Sequence, residues 1–221
     1  MLVILSKAQD LFFAQGFDCA NNSKQQRFFA ALRMTSMAVR NLRKLGPRQL
    51  AARLRKIRCL LLDVDGVLTD GRLYFDGDGR EFKAFDIHDG HGIAMAKRAG
   101  LLIGFVSGRS SEATKRRAAD LGVELVMQEP TNKMDMVEQI KTTHSLTNAE
   151  ICFVGDDLVD LPVLRQAGVA VAVANAVPEV RNAAHYVTVR SGGRGAVREV
   201  IDRLLQAQRK WDEITAKYFR E

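Results

Sequence analysis

Leu62-Asp63-Val64-Asp65-Gly66-Val67-Leu68-Thr69-Asp70 follows a mostly apolar run from Ile57. The run reads as a buried strand. Asp63 and Asp65 stand at i and i+2, so on extended backbone their side chains point to the same side. Two like charges that close need a cation or a shared proton. A hard metal ion with oxygen ligands fits this pair. One carboxylate would then be a nucleophile and the other a general acid and base.

Outward from this stretch the chain alternates strand and helix. Cys59–Val64 reads as strand one. Arg72–Phe75 and Glu81–Phe85 flank Asp76-Gly77-Asp78-Gly79, a hairpin turn. A helix is expected over Asp89–Ala99, then a strand over Leu101–Val106. Ser110 is expected to cap a helix that runs to about Leu121. Val123–Met127 is a strand and Thr131–Thr143 a helix. Ile151–Val154 is a strand and Leu158–Ala167 a helix. Val169–Ala174 is a strand, Pro178–Ala183 a short helix and Tyr186–Val189 a last strand. Ala196–Tyr218 reads as one long helix. The expected fold is α/β, a doubly wound parallel sheet with a small β-hairpin insertion.

Ligands of such sheets bind beyond the carboxyl ends of the strands. Ser107-Gly108-Arg109 follows the strand at Leu101–Val106, and Asn132-Lys133 opens a helix. Gly155-Asp156-Asp157 follows Ile151–Val154, with Asp160 one helical step on. Carboxylates, a hydroxyl and a lysine on one edge suit phosphoryl transfer to a carboxylate. Asp63 would attack phosphorus. Asp65 would protonate the leaving alcohol and then deprotonate water. Mg²⁺ would be held by Asp63, Asp156 and the backbone carbonyl of Asp65. Ser107 would donate to a phosphoryl oxygen, and Lys133 would neutralise its charge. Asp157 and Asp160 would orient the metal shell from outside. In isolation Ser107 reads as a turn residue and Lys133 as a solvated lysine, and only their placement after strands promotes them.

Composition narrows the classes. The net charge is +7, but residues 1–58 carry 12 Lys/Arg against 2 Asp/Glu, and residues 59–221 carry 21 against 24. The basicity belongs to the leader, which argues against a nucleic-acid footprint on the body. Residues 1–45 read as a basic leader, either disordered or upstream of the true start, and 46–221 as a single domain. Residues 47–57 read as a solvated lead-in helix. No run of 18 apolar residues exists, so no membrane span is expected. Cys19, Cys59 and Cys152 lack metal-type spacing and suit a reduced, cytoplasmic protein.

Asp63-Val64-Asp65-Gly66-Val67, Ser107, Lys133 and Gly155-Asp156-Asp157 with Asp160 resemble the four ordered motifs of the haloacid dehalogenase superfamily. Within it the chain is most similar to the cap-less 3-deoxy-D-manno-octulosonate 8-phosphate (KDO 8-phosphate) phosphatase family. Thr69-Asp70-Gly71, Lys83-Ala84-Phe85, Asp89-Gly90, Gly92-Ile93 and the run from Gly192 to Val200 carry that likeness. The resemblance implies a Mg²⁺-dependent phosphatase for a sugar-acid phosphate, acting through an aspartyl-phosphate. It implies a homotetramer with hairpins, about 71–85, at its centre, and a glycine-rich 191–196 segment and helical tail, about 196–219, closing over substrate. It also implies substrate contacts at Asp65, at the segment Asp86, Ile87, His88, Asp89 and Gly90, and at Arg109, Arg117 and Lys133. Arg109 and Arg117 would meet the substrate carboxylate; Arg117 reads equally well as an exposed helix arginine.

The chain departs from the family at Ala94 and His88, where relatives commonly carry Arg. Other nonulosonate 9-phosphates, sialic-acid-like, are therefore the competing substrates. A phosphate-accepting receiver module is the competing class, and Asp65 with Gly66–Asp70 argues against it. His88 and His91 read as polar or substrate-facing residues, because Mg²⁺ disfavours imidazole.

Overall fold

The computed structural model describes residues 44–129 and 132–219. The expected basic leader lies outside the described residues, apart from its last two. α1 (Pro47–Leu54) leads into β1 (Cys59–Leu62), whose four side chains are all buried. The hairpin strands β2 (Tyr74–Phe75) and β3 (Glu81–Phe82) pair antiparallel and stand outside the main sheet. Then come α2 (Ile87–Arg98), β4 (Leu102–Ser107), α3 (Glu112–Asp120), β5 (Leu125–Gln128), α4 (Lys133–His144) and β6 (Ile151–Gly155). The chain continues through α5 (Leu161–Leu164), β7 (Val169–Ala172), α6 (Pro178–Asn182), β8 (Tyr186–Val187), α7 (Ala196–Ala207) and α8 (Trp211–Thr215).

Six strands form one sheet in the order β5-β4-β1-β6-β7-β8, and every pairing in it is parallel. The α/β doubly wound fold is therefore as expected. β1 and β6 are apolar throughout because both faces of a parallel sheet are covered. Register sets Leu62 against Phe105 on one side and against Val154 on the other. Asp63, Ser107 and Asp156 consequently leave three adjacent strands at one edge. α2 packs against α7 at Gly92, where an added Cβ would lie 3.0 Å from the Arg198 side chain and 3.3 Å from Ile201.

Several local expectations are corrected. The tail is not one helix. α7 stops at Ala207, and Arg209 adopts φ +60. Lys210 N donates to Leu205 O at 2.9 Å and Arg209 N to Gln206 O at 3.1 Å, a Schellman closure. The Gln208 side chain secures the break by donating to the carbonyls of Leu54 and Ile57. Ser111, not Ser110, occupies the N-cap position of α3. Leu158–Ala167 is a 3-10 turn followed by only four α-helical residues. α1 is not wholly solvated: its arginines are exposed, while Leu50 and Leu54 enter the core. Among the described residues no helix is long and apolar enough to cross a membrane.

Candidate active site

Asp63 leaves β1 with its amide donating to Val154 O at 3.0 Å, which ties the end of β1 to β6. The chain then turns sharply. Gly66 takes φ +96, a conformation open to glycine and strained for other residues. Buried Thr69 holds the turn: its hydroxyl donates to Val64 O and accepts from the amides of Gly66 and Gly71, each at 3.3 Å. A Cβ on Gly66 would overlap the Asp156 carboxylate, so the turn and that carboxylate are packed as one unit. The glycine-rich segment lies against the same turn. Gly193 N donates to Val67 O at 2.9 Å, and Gly192 N to Asn175 Oδ1 at 2.8 Å.

Three carboxylates converge below this turn. Asp63, Asp156 and Asp160 each place an oxygen within 4.8 Å of the others. Lys133, at the start of α4 behind its cap Asn132, reaches in from the side. Its ammonium lies 2.7 Å from Asp63 Oδ1 and 2.7 Å from Asp160 Oδ1, and its side chain is 5 % exposed. Asp160 is fully buried and committed on both oxygens: Oδ1 to Lys133, Oδ2 to the amides of Asp156 and Asp157 at 2.9 and 3.3 Å. Gly155 leaves room for it, since a Cβ there would meet the Asp160 side chain at 2.5–2.7 Å. Asp157 caps the following turn by accepting from Leu158 N.

The electrostatics call for more positive charge than Lys133 supplies. Burial and the facing Asp160 push Asp63 well above the ordinary carboxylate range, against the pull of Lys133. Burial and Asp160 likewise push Asp156 up to about 6. Burial alone would lower Lys133, but Asp63 and Asp160 outweigh it and hold its pKa above the usual value. Asp156 Oδ1 is buried without a hydrogen-bond partner. A divalent cation fits this set: hard oxygen donors, excess negative charge and an open carboxylate oxygen.

Asp65 sits apart from the cluster. Its Oδ1 accepts from the ammonium of Lys83, which arrives from the hairpin with a side chain 1 % exposed. Asp65 Oδ2 is buried without a partner. Lys83 also faces Glu81 Oε1 at 3.6 Å, and Glu81 Oε2 accepts from Arg109 at 2.8 Å. Sequence analysis assigned no role to Lys83 or Glu81. The available signal was their alternation, which puts both on one face of the strand expected over Glu81–Phe85, with Phe82 on the other. Ser107 is buried at the end of β4. Its hydroxyl donates to Arg109 O and accepts from Arg109 N, each at 3.1 Å.

The segment Asp86 to Gly90, carried over as substrate contacts, opens α2. Asp86 caps α2 by accepting from His88 N and Asp89 N. Ile87 and His88 are exposed. Gly90 is buried under the Arg117 guanidinium, which donates to Asp86 O at 3.4 Å and lies over the Phe85 ring. Asp89 lies deeper. It is 1 % exposed and accepts from Arg198 N at 2.7 Å and Gly195 N at 3.3 Å, capping α7. Its burial pushes its pKa up to about 6. Ala94 lines a cavity of about 430 Å³ with His91, Lys97, Arg98, Lys217 and Tyr218.

Gly66→Ala tests the packing of turn and carboxylate. The Cβ displaces Asp156 and strains the turn, so stability should fall by roughly 1–3 kcal/mol. Divalent-cation binding measured by calorimetry should weaken at least about tenfold. Unchanged cation affinity would refute the coupling.

A haloacid dehalogenase-like hydrolase family model matches residues 123–201. The chain is 43% identical over 162 residues to the 3-deoxy-D-manno-octulosonate 8-phosphate phosphatase KdsC of Escherichia coli, an alignment spanning 73% of this chain and 86% of that protein. The Moraxella catarrhalis 3-deoxy-D-manno-octulosonate 8-phosphate phosphatase, solved with magnesium, phosphate and KDO, superposes with TM-score 0.76 at 33% identity, covering 77% of this chain and 98% of that one. The cobalt-bound Haemophilus influenzae enzyme superposes with TM-score 0.70 at 40% identity over 72% of this chain and 93% of that one. At 43% identity over 73% of its length, the chain belongs to the 3-deoxy-D-manno-octulosonate 8-phosphate phosphatase family and is a haloacid dehalogenase-like phosphatase.

Proposed function

We propose that this phosphatase hydrolyses KDO 8-phosphate to KDO and phosphate through an aspartyl-phosphate on Asp63, with Mg²⁺ as its cation. The observation that carries the reading is the cluster at the ends of β1 and β6, where Lys133 bridges Asp63 and Asp160 and Asp156 keeps an open oxygen. Asp63 and Asp156, with the Asp65 carbonyl, would hold the cation. Bound there, it neutralises the carboxylates and the phosphoryl oxygens.

Asp63 attacks phosphorus, and the bond from phosphorus to the sugar oxygen breaks as that oxygen takes a proton from Asp65. Asp65 next removes a proton from water. The water oxygen attacks phosphorus, the bond to Asp63 breaks and phosphate leaves. Lys133 balances charge beside the nucleophile. Ser107 exchanges its turn bond for one to a phosphoryl oxygen. Asp160 fixes Lys133 and the amides of Asp156 and Asp157, and Asp157 secures the same turn. Arg109 meets the substrate carboxylate. Asp86, Ile87, His88, Gly90 and Arg117 bound the sugar where subunits meet.

A homotetramer fits the hairpin, whose Leu73, Phe75 and Phe82 are exposed although large and apolar. Buried, free Cys59 and Cys152 fit a reducing cytoplasm. Ala94 favours the second reading, a sialic-acid-like nonulosonate 9-phosphate. Phosphate release from KDO 8-phosphate and from nonulosonate 9-phosphates decides between them. We expect kcat/KM for KDO 8-phosphate to lead by at least about tenfold, to vanish with EDTA and to return with Mg²⁺. A lead for a nonulosonate would overturn the substrate assignment.

A further inference from the structure

We propose that Lys83, on the hairpin, is the positioning residue that makes the Asp65 carboxylate an acid and base rather than a further carboxylate ligand of the metal. The proposal rests on the phosphatase reading above and extends it to a residue outside the four motifs. Asp63 and Asp65 are two residues apart on one strand end, and both carry carboxylates that a cation would attract. Yet the Asp65 carboxylate is not part of the Asp63, Asp156 and Asp160 cluster.

The structure supplies a cause. The Lys83 ammonium holds Asp65 Oδ1, and its side chain is 1 % exposed, so this charge is committed to its partners rather than to water. A buried ammonium is stable only when so paired. Its second partner, Glu81 Oε1, lies 3.6 Å away, and Glu81 is itself held by Arg109 at 2.8 Å. Asp65, Lys83, Glu81 and Arg109 therefore alternate in sign along one line from the active site to the end of β4. Each charge faces an opposite one, and the line has no net charge to draw in a competing ion.

With Oδ1 clamped, the remaining oxygen, Oδ2, is the one left buried and unpartnered. That is the oxygen available to the leaving group and then to water. Without Lys83, Asp65 would lose its anchor on the hairpin side and could turn towards the cation held by Asp63 and Asp156. Proton transfer to the leaving group would suffer, while attack by Asp63 would not.

Leaving-group dependence separates this role from a merely structural one. The ester oxygen of KDO 8-phosphate belongs to an alcohol and must be protonated as it departs. Nitrophenolate leaves 4-nitrophenyl phosphate without a proton. For Lys83→Met we expect kcat/KM to fall about a hundredfold on KDO 8-phosphate and less than about threefold on 4-nitrophenyl phosphate. Lys83→Arg, which keeps the charge, should recover most of the loss. The activated substrate doubles as the control for folding. Equal losses on both substrates, or no loss on either, would overturn the proposal. Wild-type protein inert on both would instead overturn the phosphatase reading on which it rests.

Discussion

Asp63→Asn is expected to lose at least roughly ten-thousandfold in kcat, because an amide cannot attack phosphorus and no neighbouring group can replace it. Asp65 is clamped by Lys83, Asp160 is committed to Lys133 and two amides, and Asp156 is packed against Gly66 and would hold the cation. The fold should tolerate the change. Asp63 is a buried carboxylate pushed up by desolvation and by Asp160, so removing its charge relieves repulsion. The same change takes one of two carboxylates from Lys133, which keeps Asp160. These effects oppose each other, and the thermal midpoint should stay within about 4 °C of wild type. Steady-state phosphate release and a melting curve check both halves. Turnover within about tenfold of wild type would remove Asp63 from the role of nucleophile.

Lys133→Met should act on both stability and catalysis, and in an unusual combination. Lys133 is the cation that separates Asp63 from Asp160, at 2.7 Å to each. Removing one partner of a buried ionic group typically costs about 3–5 kcal/mol, because the remaining charges stay buried and uncompensated. The metal-free variant should therefore melt far below the wild type. Mg²⁺ should restore more stability to the variant than to the wild type, since the unscreened carboxylates bind a cation more tightly. Turnover should nonetheless fall by about 10²–10³, the usual cost of losing a fixed positive charge at a transferring group. Calorimetry with and without Mg²⁺, alongside kcat, gives the comparison. A variant with the same Mg²⁺ response as wild type would show that Lys133 does not screen the cluster.

The sheet was legible because its central strands are nearly unbroken apolar runs, each ending in a polar group. Cys59–Leu62 followed by Asp63, and Ile151–Gly155 followed by Asp156, leave little choice of element or direction. The order of those ends along the chain was enough to gather Asp63, Ser107 and Asp156 at one edge. Lys83 was not legible as a contact of Asp65, because alternation along a strand gives its two faces but not the direction in which a free hairpin folds. The capping of α7 by Asp89 was not legible, because a carboxylate in the first turn of a helix looks the same in sequence whether it faces solvent, substrate or another helix. Its amide partners, Gly195 and Arg198, lie more than a hundred residues away. The break after Ala207 was missed for a local reason: left-handed backbone usually advertises itself as glycine, and here it is Arg209. The Gln208 contacts that secure it are long-range.

Trapping the covalent intermediate tests the central claim most directly. The enzyme would be mixed with KDO 8-phosphate and Mg²⁺, quenched within a turnover and reduced with borohydride, which converts an acyl phosphate to an alcohol. Peptide mass spectrometry then locates the reduced side chain. The expected result is reduction at position 63, dependent on substrate and on Mg²⁺. Reduction at Asp65 or Asp156, or none during demonstrated turnover, would contradict the assignment of Asp63 as the group that takes the phosphate.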